Sequence, residues 1–518
     1  MTIIGALTSH LDPLTLLITV VVGLGMYLLY WSTCVQRFSS RNVPPYPIRP
    51  WPLCGHLFML TKQPLEQLQK WRQKTGDVFS LDFAGRHMVV VNGFESLKDL
   101  LVKKADKLAR PETFLMRLHG DYGLGIINSY GANWKEQRTL SLSILRAFGM
   151  GRNVIAQKID EEVEVFINEL AKFRGQPCDV KLLVHTSVAN VLNSIIIGQR
   201  YEHGDPQFGH FLRLLNNLIA RIAGTSVLNH FRLLRYLPGD PFEANVLKKL
   251  ASELKSMLMR FITRERKKVE ESEKTNTDSE DSTERVNFIY EYFKEKKARE
   301  ARRENTRLDE NNLSAIINNL FGAGSETSGN TVLFFMLHML HRPEEQEVIY
   351  AEIKDVVGTH RRPNMQDKPR LNYLNAAIME TQRLSNIAPI GLQRLVLSDI
   401  EIKGYTIPAG TIVMPILDSS LKDEQTWGDP ENFRPSRFLA DDGSLLQPEQ
   451  FIPFSFGKRV CLGEALARME LFLFLSALMQ KFRLEQEADD LPDTSGIYGI
   501  TISPKPFKVR MIEREGIP

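Results

Sequence analysis

The chain has 518 residues, 43% of them hydrophobic, and carries 65 Lys and Arg against 62 Asp and Glu, a formal net charge of +3. So even a balance gives no electrostatic footprint for nucleic acid, and no nucleic-acid partner is expected. The four cysteines, Cys34, Cys54, Cys178 and Cys461, show no Cys-x-x-Cys spacing, which argues against a zinc site or a disulfide framework and for a reducing, cytosol-facing environment.

From Pro13 to Gln36 no residue is charged. As a helix, ~24 residues span about 36 Å, enough for the core of a bilayer. No Lys or Arg precedes the run, which is also longer than the apolar stretch of a cleaved signal peptide. Residues 1–36 are therefore expected to form an uncleaved anchor. Arg37, Arg41 and Arg49 follow it, so the bulk of the chain is expected in the cytosol, and the sequon Asn312-Leu-Ser314 away from the glycosylation machinery. Residues 37–55 hold Pro44, Pro45, Pro47, Pro50 and Pro52 and read as a stiff, extended connector. Residues 56–518 make up the rest of the chain.

Val78 to Phe83 and His87 to Asn92 read as two short strands around the turn Ala84-Gly85-Arg86, with helical patterns dominant beyond them. Gly123-Leu-Gly125 lacks the third glycine and the strand context of a dinucleotide fingerprint. Trp134 and Arg138, four apart on a helix face, are two donors suited to a carboxylate. Asn229 to Pro238 mixes basic and apolar residues and reads equally as a membrane-dipping segment or a plain amphipathic helix end. The polar block from Arg264 to Arg285 reads as a solvated face or a mobile loop, and the charged stretch Lys294 to Arg307 leads into a long helix.

That helix, expected from Leu313 to His341, has Phe321-Gly-Ala323-Gly-Ser-Glu326-Thr327-Ser at its middle. Two glycines in a helix cost about 1 kcal/mol each relative to alanine, and an acid on an apolar helix costs more unless it has a partner. Tight packing accounts for the glycines but not for Glu326 and Thr327. Thr327 lies four residues beyond Ala323, so its hydroxyl can bond that carbonyl and bend the helix. Glu380 and Arg383 share a helix face at i, i+3, a pairing that on a surface is worth little.

In Phe454-Ser-Phe-Gly457-Lys-Arg459-Val-Cys461-Leu-Gly463 a lone cysteine stands just before a helical pattern. A thiol there meets unpaired N–H groups and the positive end of the helix dipole, so a lowered pKa and a metal-binding thiolate are expected. Gly457 and Gly463 permit tight turns and close approach to a flat ligand.

This loop resembles the haem-binding signature of the cytochromes P450, with every defining position filled. The central-helix stretch, Glu380/Arg383 with the downstream Phe433-Arg-Pro-Ser-Arg437-Phe438, Trp134/Arg138 and the proline-rich connector resemble further motifs of the same family, in family order. The resemblance is to animal microsomal members oxidising drugs, steroids and fatty acids. It implies a mainly α fold with small β-sheets, the cytochrome P450 fold, behind a single N-terminal transmembrane helix, in the endoplasmic reticulum membrane. It implies haem b with Cys461 as axial thiolate, held by Trp134, Arg138, Arg394, Arg459, Gly457 and Gly463. Thr327 would steady activated oxygen, Glu326 would relay protons, and Glu380, Arg383 and Arg437 would lock the core. Met116, Ile126, Ala323, Ile387, Ile390 and Ile497 fall at pocket positions. Relatives often have His where Arg394 stands and a basic residue where Tyr122 aligns. Electrons would come from NADPH through cytochrome P450 reductase, docking near Lys135 and Lys458, with cytochrome b5 a further partner. The implied activity is insertion of one atom of O2 into a hydrophobic substrate. A peroxide-rearranging or isomerising P450, and a non-catalytic haem- or lipid-binding membrane protein, are the rivals, both disfavoured by the intact Glu326-Thr327.

Overall fold

A helix from Glu310 to Leu340 runs through the core of the computed structural model, which describes residues 13–39, 42–52, 54–61, 63–148, 153–222, 227–275, 287–487 and 491–516. Asp309 caps it by accepting the Asn312 N–H at 2.7 Å, as short acceptor side chains do at helix starts. It ends before Pro343, which opens the next helix at a position where its missing N–H is harmless. From Ser328 to Leu340 every residue is buried. The helix Lys181–Ile196 packs on one side, where Gly324 admits Leu192. The helix Glu464–Lys481 is tied to it by Ser328, whose hydroxyl donates to Glu470 at 2.7 Å.

The largest sheet has five short strands: β1 (Val78–Phe83), β2 (Arg86–Val91), β3 (Leu108–Ala109), β4 (Arg394–Val396) and β5 (Ile412–Pro415), in the order β1-β2-β5-β4-β3. β2 and β5 run parallel, and the other pairs antiparallel. Three two-stranded sheets complete the β structure among the described residues. The architecture is mainly helical with small sheets, as expected. β4 carries Arg394 to the end of the sheet nearest the cysteine loop.

The N-terminal helix, Pro13–Ser39, exposes Leu17, Val20, Val21, Leu24 and Leu29. Among the described residues no helix is long and apolar enough to cross a membrane, and residues 1–12 of the expected anchor lie outside them. The proline-rich stretch is extended and bonded along β1: Ser80 donates its N–H to the Pro45 carbonyl and its hydroxyl to that of Pro44, at 2.8 and 2.6 Å.

Arg264 to Thr275 is the end of the helix Ala244–Thr275, so of the two readings of this segment the solvated face holds and the loop does not. Its charges pair along the helix, Glu265 with Lys268 at 2.8 Å and Arg266 with Glu270 at 3.7 Å, which is how a highly charged segment supports helix. Residues 276–285 lie outside the described residues. Asn229 to Pro238 is not a plain helix end. It folds over the helix Phe114–His119, with Asn229 accepting the Phe114 N–H at 2.6 Å and Arg235 stacked 4.4 Å from the Phe114 ring.

Candidate functional site

The cysteine loop is shaped by its backbone. Gly457 has φ +78°, and a Cβ there would overlap the Leu101 carbonyl, so only glycine fits. The Cys461 N–H donates to the Phe454 carbonyl at 3.0 Å and that of Val460 to Gly457 at 3.1 Å, closing the loop. Gly463 is the N-cap residue of the helix Glu464–Lys481. Cys461 is accessible although protein packs around it. Its pKa corrects the expectation. Burial pushes the thiol up, and the N–H groups of Gly463 and Glu464 and the Arg138 guanidinium offset this only in part, with the Glu464 carboxylate adding to the rise. Withdrawal from water outweighs the helix terminus.

Cations gather beside the loop. Arg459 stacks 4.1 Å from the Trp134 ring and donates to the Ser129 and Ile126 carbonyls at 2.7 and 3.2 Å. Arg138, also over Trp134, donates to the Val460 carbonyl at 2.7 Å. Arg394 bonds the Leu392 carbonyl. Burial, with Arg394 and Arg138 close by, lowers Arg459 to about 9, and burial alone lowers Arg394 to about 10. None of the three pairs with a carboxylate among the described residues, and Trp134 Nε1 is buried without a partner. Buried guanidiniums and an orphaned N–H of this kind call for an anion.

On the central helix, Thr327 donates its hydroxyl to the Ala323 carbonyl at 2.7 Å. Ala323 is exposed in the midst of this core helix, while Glu326 and Thr327 are half-buried. Burial raises the Glu326 carboxyl above the ordinary range, with Thr501, Lys181 and Asn330 pulling it back. The loop between the two elements links them: the Ile126 and Ile127 N–H groups donate to Asn319 Oδ1 of the central helix at 3.1 and 2.9 Å, while Arg459 holds the Ile126 carbonyl.

Glu380 and Arg383 are wholly buried, and Arg437 reaches Glu380 at 3.0 Å, so the surface reading of this pair is excluded. Of the expected pocket residues, Ile126 is buried, Met116, Ile387 and Ile390 are half-buried, and Ile497 is 49% exposed. A cavity of about 690 Å³ lies elsewhere, between the β1–β2 turn, Phe114, Arg235 and Thr411, and none of the six lines it. Tyr122 does line it, apart from the cations around Trp134. Lys135 is exposed, and Lys458 pairs with Asp106 at 2.5 Å.

Sequence reasoning missed Arg110 and Asn319. Arg110 donates to the Ile127, Leu392 and Gln393 carbonyls at 2.9, 3.1 and 3.0 Å, joining the loop to the approach of β4. The sole signal was an arginine before Pro111, at the end of a short strand. The sequon residue Asn312 is buried and bonded to the Arg307 carbonyl at 3.1 Å.

An accessible thiol at a helix start beside a carboxylate-seeking cluster of cations and an indole fits iron protoporphyrin, which brings a metal and two carboxylates. Fold and site thus define a haem-thiolate protein. The family model for cytochrome P450 matches residues 44–511. The chain is 34% identical over 492 residues to cytochrome P450 2D9 of Mus musculus, covering 93% of this chain and 94% of the relative. It is 35% identical over 490 residues to cytochrome P450 2D3 of Rattus norvegicus (92% and 94%) and 33% over 515 to cytochrome P450 2U1 of Bos taurus (94% and 92%). The chain belongs to the cytochrome P450 family. It is a monooxygenase that uses haem b, redox partners carrying electrons from NADPH, O2 and a hydrophobic substrate, and its relatives are animal microsomal enzymes.

Proposed function

We propose that this chain hydroxylates or epoxidises a lipophilic fatty acid, steroid or foreign compound at the endoplasmic reticulum membrane. Its electrons come through NADPH–cytochrome P450 reductase, with cytochrome b5 as an auxiliary donor. The apolar run from Pro13 anchors it, residues 37–55 lead out, and the domain from residue 56 faces the cytosol. The exposed leucines and valines of the N-terminal helix support this placement.

Cys461 would supply a thiolate to the haem iron, and Trp134, Arg138, Arg394 and Arg459 would hold its propionates, with Gly457 and Gly463 giving the loop its shape. Bound there, the haem supplies the activation of dioxygen and the transfer of one of its atoms. The chain supplies the rest. Thr327 holds its hydroxyl on the Ala323 carbonyl, and Glu326, its carboxyl raised by burial, stands next to it as the group that would relay protons. Ala323, Ile126, Met116, Ile387, Ile390 and Ile497 orient substrate and exclude water. Lys135 and Lys458 present positive charge to the electron donor.

The observation that carries this reading is the pairing of a half-buried acid and a half-buried alcohol in the middle of the central helix, beside the exposed Ala323. A protein that merely carried haem would have no use for them. The test is turnover with reductase, NADPH and labelled dioxygen across a library of lipophiles. Product with one labelled atom and one NADPH consumed is expected. Product without NADPH would indicate rearrangement instead, and haem binding without product a carrier.

A further inference from the structure

A second polar cluster lies behind Glu326, where the central helix meets the helix Lys181–Ile196. Gly329 permits the approach: a Cβ there would stand 2.8 Å from His185 Nδ1. His185, itself buried, faces the Ser325 carbonyl and the Asn330 amide. Glu326 faces the same Asn330, together with Thr501 and the partly exposed Lys181. Four polar atoms of this cluster, His185 Nε2, Asn330 Oδ1 and Nδ2, and Thr501 Oγ1, are buried and make no well-formed hydrogen bond within the protein, although Glu326 approaches Asn330 and Thr501 and His185 approaches Asn330. Buried polar atoms are nearly always satisfied, by protein or by ordered water with several polar neighbours. The side chains are thus arranged to hold water between them.

Burial lowers His185 to about 4, helped by Lys181, so at neutral pH it is the uncharged imidazole. One ring nitrogen then donates and the other accepts, so a proton can enter at one and leave from the other. Glycine at 329 fits this arrangement, since a helix interior otherwise disfavours it by about 1 kcal/mol.

We propose that His185 resupplies protons to Glu326 through Asn330 and bridging water, with Lys181 at the solvent end. The proposal rests on the reading of Glu326 as the proton donor beside Thr327. Once Glu326 has released its proton, its carboxylate takes one from the bridging water. The water takes the His185 ring proton, and the other ring nitrogen regains one from solvent on the side of the partly exposed Lys181. One solvent proton enters and no electrons move. His185 acts through Glu326 and is a positioning residue, not a catalytic one.

The test compares His185→Gln and His185→Phe with the parent, all haem-loaded and with reductase. Glutamine keeps hydrogen-bonding capacity but cannot pass a proton between two ring nitrogens. Both variants should lose product per NADPH several-fold, with a roughly twofold larger solvent deuterium isotope effect on oxygen consumption, while His185→Gln keeps its haem content and melting temperature. Unchanged coupling and isotope effect in both variants would overturn the proposal. Should the variants fail to fold, a high-resolution structure of the parent decides. Ordered water joining His185 Nε2 to Asn330 supports the path, and a dry gap refutes it. Glu326→Gln separates the two layers. If it too leaves coupling untouched, the reading of Glu326 itself falls.

Discussion

Arg383 holds Glu380 in a two-point ion pair, Nε to Oε2 at 2.7 Å and Nη2 to Oε1 at 2.9 Å, with neither side chain exposed to solvent. Arg437 and the Arg434 N–H complete the shell of the carboxylate at 3.0 and 2.9 Å. Arg383 also holds the Leu421 carbonyl at 3.0 Å, and Arg437 that of Trp427 at 2.6 Å. One carboxylate therefore fixes the helix Asn372–Leu384 to the segments that precede the cysteine loop.

Glu380→Ala leaves two buried guanidiniums without their anion, a change that costs about 3–5 kcal/mol. The variant should accumulate without haem or not at all, read as the loss of the red-displaced Soret band of the reduced carbon monoxide complex. A stable, haem-replete Ala variant would contradict the assignment.

Thr327→Ala removes one hydroxyl and its bond to Ala323, with a stability change within about 1 kcal/mol. Product per NADPH should fall and free hydrogen peroxide rise several-fold, while Thr327→Ser retains most of the coupling. Equal peroxide yields from parent and Ala variant would remove Thr327 from the reaction.

Arg459→Leu should act unequally on two measurements. It relieves repulsion among Arg138, Arg394 and Arg459 but gives up the bonds to the Ser129 and Ile126 carbonyls, so the haem-free protein should melt close to the parent. It also removes a charged hydrogen bond to the propionates, worth about 1.5–3 kcal/mol, so haem affinity should drop roughly tenfold or more. Titration of the haem-free protein with haemin, beside its melting curve, checks both.

Glu470 gives a pH dependence with a definite sign. Burial pushes its carboxyl up to about 8 from the ordinary 4.5, and the Ser328 hydroxyl offsets this only slightly. The folded chain keeps a proton that the unfolded chain releases, so the stabilisation is complete below about 4.5 and fades as pH rises toward 8. Relative to Glu470→Gln, the parent should lose up to a few kcal/mol between those limits. Urea midpoints of both proteins at the two ends of the window measure it. A constant difference would refute it.

Local pattern carried most of what was legible in the chain. The strands at Val78 and Arg86, the long helix at Glu310 and the shared face of Trp134 and Arg138 follow from periodicity and spacing within a few residues. Burial did not. The Cys461 thiol was expected low because a helix begins beside it, but its depth outweighs that terminus. The segment after Arg264 read as a solvated face or a loop, and only the pairing of its charges at helical spacing decides for a helix face as far as Thr275. Arg110, Asn319 and His185 stayed silent because their partners lie far along the chain, at Leu392, Ile126 and Gly329. Nothing next to them in sequence marks those encounters.

The mutually repelling guanidiniums around Trp134 also bear on how the enzyme matures. Until its prosthetic group arrives, this corner of the protein is under outward electrostatic pressure, strongest at Arg459. The loop from Gly123 to Ser129, which Arg459 and Asn319 grip from opposite sides, is where that pressure would be felt first. A protease cutting there would sort finished molecules from those still waiting for iron porphyrin.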